Sequence, residues 1–320
     1  MTVAPREYDF VAARQRLEAK PKSAGPKLGR LEDAVALVKD GDHVALGGCL
    51  YSRTPLALVW ALLRRRPKRL TLSRNLMCYE GEWGMVAGAV DKLVTSWMGI
   101  GLPWGLSRIQ REFVETGRVE FEEWSHLGLG LRYRAAAMGV PFLPSLTMLG
   151  SGLMDVGGSK TVACPYTGQT LHAVPALFPD VALIHVQKAD RLGNCQIDGY
   201  SHMDADIARA AATVLVTAEE IVPEDEIRLH GDRTVIPGFL VDALAHVPYG
   251  SYPHECYGSY DAEPEHFTTY VDAILARGAA AVADYLEHYV YAPSAHADYL
   301  ALFGDARRAS AADRARMLTT

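Results

Sequence analysis

The chain has 320 residues, 49% of them apolar and 22% charged, with a formal net charge of −6. Those values describe an ordinary globular protein of one large or two smaller α/β domains, and the acidic balance speaks against nucleic acid, which requires a concentrated basic face. Five scattered cysteines (Cys49, Cys78, Cys164, Cys195 and Cys256) with no Cys-x-x-Cys pair exclude a disulfide framework and suit a reducing cytosol.

In chain order, residues 1–28 read as a peripheral arm and linker: a charged amphipathic piece over Tyr8–Ala19, then the turn-rich stretch Lys20–Lys27, with no apolar run of a secretory leader. The main domain is expected over 29–320, opening on Leu31, Ala34, Val35 and Val38 at helical spacing. His43–Leu46 predicts a buried strand running into the loop Gly47-Gly48-Cys49-Leu50-Tyr51-Ser52-Arg53. Thr54 as cap and Pro55 at the first helical position announce a helix whose apolar face is Leu56, Val59, Trp60 and Leu63. Further strands are predicted over Arg69–Ser73 and Lys92–Trp97, and helices over Trp83–Ala89, Leu106–Thr116 and Trp124–Met138. Val140–Leu149 reads as a strand leading into a second glycine loop, Gly150-Ser151-Gly152. A hairpin is expected over Lys160–Ala176, strong buried strands over Val181–Gln187 and Thr213–Thr217 with an alanine-rich helix at Asp204–Ala212 between them, and a last strand at Val241–Val247. From Glu265 onward the pattern is helical. This alternation predicts an open, largely parallel sheet covered by helices on both faces, with a helical C-terminal appendage. No stretch reaches the roughly 18 apolar residues of a membrane span, so a cytoplasmic protein with no membrane partner is expected.

Both glycine loops offer backbone N–H groups, free of side chains, at the expected carboxyl end of a strand, where an α/β sheet binds a carboxylate, a thioester oxygen or a phosphate. In the first, the Gly47, Gly48 and Cys49 amides are candidate oxyanion donors, with Ser52 beside them and Arg53 as a fork for a substrate carboxylate; the plainer reading is a tight turn with Arg53 on the surface. In the second, an anion nest with the Ser151 hydroxyl competes with a simple turn. Neither loop carries an obvious nucleophile. Cys49 lacks an identifiable activating partner and reads better as a small lining residue. His185 and Gln187 share one face of a strand and are candidates to reach the site, although a core histidine explains His185 equally well. His202, Asp204 and Asp206 do not have metal-site spacing, and Asp204 reads as a helix N-cap, so no metal is expected. The basic run Arg64–Arg69 reads as a solvated cluster at a helix C-terminus, with contact to a ligand's phosphates the lesser option, and Glu219-Glu220 as solvated or interfacial. The tyrosine-rich stretch Tyr249–Tyr260 suits an interface or an acyl pocket.

The ordered segments Asp42–Gly48, Arg53–Pro55, Ala135–Pro144, Gly150–Asp155, Ile184–Gln187, Glu219–Ile221 and Cys256–Asp261 resemble the α subunits of family I CoA-transferases, the glutaconate type most closely. The resemblance implies a heteromer, a heterotetramer or larger, whose homologous β subunit supplies a nucleophilic glutamate from a Ser-Glu-Asn-Gly-like motif; this chain has no Ser-Glu dipeptide. It also implies an acyl-CoA thioester and a small or dicarboxylic acid as substrates, no permanently bound cofactor, and a binding role for this half. Relatives on the same scaffold are ring-opening hydrolases and a decarboxylase. The hydrolases carry an acid where this chain has Ser125-His126, which counts against that chemistry. A ligand-binding regulator is a third option, disfavoured by the lack of a DNA-binding helix.

Overall fold

The computed structural model describes residues 8–101, 103–155 and 159–319, so residues 1–7 of the expected arm lie outside it. Ten strands form the central sheet. Numbered in chain order, its parallel path runs β1 (Leu28–Gly29), β16 (Ala243–His246), β14 (Thr213–Ile221), β12 (Val181–Ala189), β2 (His43–Leu46), β3 (Leu70–Ser73), β5 (Val90–Thr95) and β8 (Glu120–Glu123). Short β13 (Cys195–Gln196) and β15 (Thr234–Ile236) add on in antiparallel fashion beside β12. Two small sheets lie outside: β4 (Leu76–Met77) with β6 (Trp97–Gly101) and β7 (Gly105–Leu106), and β9 (Phe142–Ser145) with β10 (Lys160–Ala163) and β11 (Thr170–Pro175).

Successive residues of the central strands feed two cores. Val44, Leu46, Val181 and Leu183 enter one, while Ala45, Ala182, Ile184 and Val186 enter the other, which is the period of two that a sheet buried on both faces requires. Helices α6 (His126–Met138) and α7 (Asp204–Ala210) cover the second face. The first is covered by α2 (Leu31–Val35), α3 (Leu56–Arg64), α4 (Tyr79–Val86) and α5 (Arg108–Glu115), and by the C-terminal helices α9 (Pro264–Arg277), α10 (Ala279–Tyr285), α11 (His296–Ala301) and α12 (Asp305–Thr319). Helix α3 is apolar all round and buried from Leu56 to Leu63 because it lies between the sheet and this C-terminal layer; Trp60 Nε1 donates to the Tyr289 carbonyl at 2.9 Å. Helix α8 (Glu224–Leu229) lies at the edge, and α1 (Phe10–Ala19) sets Phe10 and Tyr8 against Phe178.

Two expectations are corrected. Val140–Leu149 is not a buried strand: β9 is an edge strand of the outlying antiparallel sheet, with Phe142 and Leu146 exposed. Pro144, which has no N–H to donate, fits only such an edge. Thr54 does not cap α3; its hydroxyl donates to the Leu50 carbonyl at 3.0 Å and accepts from Arg74 Nη2 at 3.0 Å. The basic run is exposed at Arg65, Arg66, Lys68 and Arg69, as expected, but its first members also hold backbone carbonyls of the chain. Arg64 donates to those of Val290, Tyr291 and Pro293, and Arg65 to those of Val35 and Val38, while Arg66 stacks on the Tyr291 ring. Among the described residues no helix is long and apolar enough to cross a membrane.

Candidate functional site

The chain builds β2, β3, β5 and β8 outward in one direction, then returns to lay β12 against the other side of β2 and continues to β14 and β16. Strand order therefore reverses between β2 and β12, and a ligand crevice forms outside the carboxyl ends of the strands at such a point. The residues there are the first glycine loop, the segment Tyr200–His202 before α7, and the start of α6.

Two buried arginines, Arg53 within the loop and Arg74 after β3, hold the first loop. Arg53 is 1% exposed; its Nη1 meets Asp204 Oδ2 at 2.5 Å and the His185 carbonyl at 3.2 Å, and its Nη2 donates to the Tyr200 carbonyl at 2.7 Å. Arg74 donates from Nε to the Gly47 carbonyl at 3.0 Å and pairs with Glu80 at 2.7 Å. Gly48 has φ +70° and its α-carbon sits so close to the Ser52 carbonyl that a β-carbon would stand 2.3 Å away, so only glycine fits.

This geometry changes three expectations. Arg53 is no surface fork for a substrate carboxylate, because Asp204 already occupies it. Asp204 is not the N-cap of α7, which is Met203; its free oxygen accepts the Gly48 N–H at 2.7 Å. The Gly47 amide donates to the Leu183 carbonyl and the Cys49 amide to that of Ser52, so all three first-loop donors are engaged inside the chain. Asp206 bonds Arg134, which separates it from the acid and histidine it was grouped with in sequence. Cys49 is half-buried, and burial pushes its thiol up despite the nearby Arg74, so it is no thiolate nucleophile at neutral pH.

His185 and Gln187 are buried organisers rather than ligand contacts. Gln187 bonds the carbonyls of Asp198 and Tyr257, tying the loop after β13 to the tyrosine-rich segment. His185 is fully enclosed, with Nδ1 2.9 Å from the Thr217 hydroxyl and Nε2 2.6 Å from Glu219 Oε1. Glu219, expected to be solvated or interfacial, is the node of that segment: it also accepts from the Tyr249 and Gly250 amides and the Tyr260 hydroxyl. Burial works to raise its pKa, yet these donors outweigh it and hold the carboxyl below its ordinary range.

The second loop joins the crevice indirectly. Ser151 Oγ donates to the Met148 carbonyl at 2.6 Å, and Thr147 Oγ1 lies 2.7 Å from the Ser125 hydroxyl that caps α6. Gly150, Ser151 and Gly152 are themselves exposed.

At the mouth, His126 and His202 face each other with Nε2 atoms 3.2 Å apart. His202 has φ 47° and its pKa is pushed down to about 4, chiefly by burial, with Asp204 working the other way. Burial lowers His126 as well. Their pairing is not legible in the sequence because 76 residues separate them.

The coenzyme A transferase family model matches residues 29–246, which contain the whole crevice. The chain belongs to that family. Among its relatives is the glutaconate CoA-transferase of Acidaminococcus fermentans, to whose A-type polypeptide the chain is 36% identical over 255 residues, covering 73% of this chain and 79% of that one. The crystal structure of that glutaconate CoA-transferase superposes with a TM-score of 0.84 at 32% identity, over 88% of this chain and 94% of the matched chain. An uncharacterized protein of Archaeoglobus fulgidus is 37% identical over 291 residues, 90% of this chain; the match spans 65% of that relative's length.

In this CoA-transferase chain, His185, Glu219 and Cys256 are the described residues that approach one another as metal ligands do. They do not fit a metal: the Glu219 oxygens already accept four hydrogen bonds, and burial holds the Cys256 thiol well above its ordinary range.

Proposed function

We propose that this chain is the binding half of a heteromeric, glutaconate-type CoA-transferase that moves CoA between small or dicarboxylic acids, in the cytoplasm, with the acyl-CoA thioester as substrate and no resident cofactor. The observation that carries the reading is the state of the carboxylates around the first loop. Asp204 and Glu80 are locked to arginines, Glu219 is saturated by donors, and Glu255 is bonded to Ser52, with burial raising its pKa. None is free to attack a thioester carbonyl, so the nucleophilic glutamate is assigned to a homologous partner closing over the crevice. With the Gly47, Gly48 and Cys49 amides engaged, the donors this chain offers a developing oxyanion are assigned to the exposed Gly150 and Gly152, and Arg53 becomes the brace of the Ser52 turn.

Intact-mass spectrometry tests this on the chain co-purified with its partner after exposure to a panel of acyl-CoAs. A CoA-sized gain on the partner, removed by hydroxylamine or by an acceptor acid, is expected. Consumed thioester with no adduct on either chain would replace transfer with hydrolysis or decarboxylation, and an adduct on this chain would overturn the division of labour.

A further inference from the structure

The His126–His202 pair is left unused by everything above. Its construction is specific. Met203 packs on α6, its methyl 2.2 Å from where a β-carbon at Gly130 would stand, and the neighbouring His202 meets the first residue of α6, His126. Asn75 Nδ2 donates to the His126 carbonyl at 2.9 Å, and the Tyr200 ring also contacts that of His202, with centroids 5.4 Å apart. Two imidazoles at 3.2 Å share one N–H between them when both are neutral, and a second charge at that distance is strongly disfavoured. The charged groups beside them are already spent: Asp204 on Arg53, Arg74 on Glu80. Among the described residues neither ring hydrogen-bonds a carboxylate; Asp204 favours an added proton on His202 only from a distance and through a carboxylate already paired with Arg53, so a bound anion would supply the direct partner the pair lacks.

We propose that the His126–His202 pair is the receptor for the free carboxylate of a dicarboxylic acyl group, taking up one proton from solvent as that carboxylate binds. The pair then discriminates dicarboxylic from monocarboxylic thioesters, a claim that rests on the acyl-CoA reading of the crevice. The balance is simple: one negative charge enters, one proton enters with it, and no covalent bond changes. A monocarboxylic acyl group brings no charge and leaves the pair neutral.

The test compares glutaryl-CoA and butyryl-CoA as donors for the intact complex, in wild type, His126→Gln and His202→Asn; asparagine tolerates the left-handed backbone at position 202. The first substitution lies on an exposed side chain, and thermal melts confirm that both variants are folded. Losing a charge-assisted hydrogen bond is expected to lower kcat/KM for glutaryl-CoA about ten- to hundredfold, through KM, with butyryl-CoA changed less than about twofold. In wild type, KM for glutaryl-CoA rises with pH, and calorimetry in buffers of different ionisation enthalpy reads one proton taken up per glutaryl-CoA bound. Equal losses for both thioesters, or none for either, would overturn the proposal. Turnover of butyryl-CoA with no proton uptake on glutaryl-CoA binding would overturn it while the transferase reading stands, and a complex that turns over neither thioester would sink both.

Discussion

The Arg53–Asp204 pair shows how a single contact fixes the site. Both side chains are essentially without solvent, and Asp204 simultaneously holds the Gly48 amide, so the aspartate fixes the conformation of the whole loop. A buried pair of this kind adds little net stability against an apolar alternative, but removing one partner strands the other charge at a cost of about 3–5 kcal/mol. Asp204→Ala is therefore expected to lose that much stability in urea unfolding, and to free the Gly48 amide; a loss below about 1 kcal/mol would show that the loop holds itself. Arg53→Lys is expected to behave similarly, since one ammonium cannot replace a guanidinium that bonds a carboxylate and two carbonyls. Sequence alone revealed Arg53 as a charge at a glycine loop. Its partner was invisible because it stands 151 residues away, and Asp204 at a helix start has a local explanation that satisfies every nearby signal.

At the scale of elements, a single carboxyl, that of Glu82 in α4, ties several helices together. It is buried and accepts from the Ser107 hydroxyl, which caps α5, at 2.6 Å, and from the Tyr270 hydroxyl of α9 at 2.7 Å, so one carboxyl joins three helices. Burial raises its pKa from 4.5 to about 7, the two hydroxyl donors only partly opposing it. The folded state thus holds a proton that the unfolded chain has released between those values. Stability from this group is complete below about pH 4.5, declines as pH rises toward about 7, and stays lower above it, by about 3 kcal/mol at most. Glu82→Gln is expected to flatten that decline in chemical denaturation between pH 5 and about 7.5; an unchanged slope would place the titration elsewhere. The helices expected over Leu106–Thr116 and Trp124–Met138 are present, and Ser107 and Ser125 cap them, whereas Thr54, read as a cap from sequence, does not cap α3. The strand at Val140–Leu149 was misread because an apolar run looks the same at an exposed edge as in a buried centre, and Pro141 and Pro144 were the signal that distinguishes them.

For the whole molecule, the parallel sheet was legible from the alternation of elements, but the role of the C-terminal helices was not. The family match ends at 246, which invites treating the rest as a separable appendage. The packing says otherwise. Phe267, Tyr270, Tyr285 and Tyr299 belong to the same core as Trp60, Tyr79 and Trp83, and Tyr79 is in ring contact with Phe267, Tyr270 and Tyr285. Helix α3 carries eight consecutive buried residues with no polar face, so it cannot stand at a surface; each large apolar side chain returned to water costs about 1.5–3 kcal/mol, and several such losses exceed the 5–15 kcal/mol by which domains are stable. The helix also leads out of the first glycine loop, so the layer that covers it steadies the crevice. A chain truncated after residue 262 is therefore expected to lose cooperative thermal unfolding and to bind a hydrophobic dye such as ANS, whereas Phe267→Ala in the full chain is expected to cost about 3–5 kcal/mol and remain folded. A truncated chain that melts in one sharp transition at the full-length temperature would show that the sheet and its crevice need no cover from the C-terminal helices.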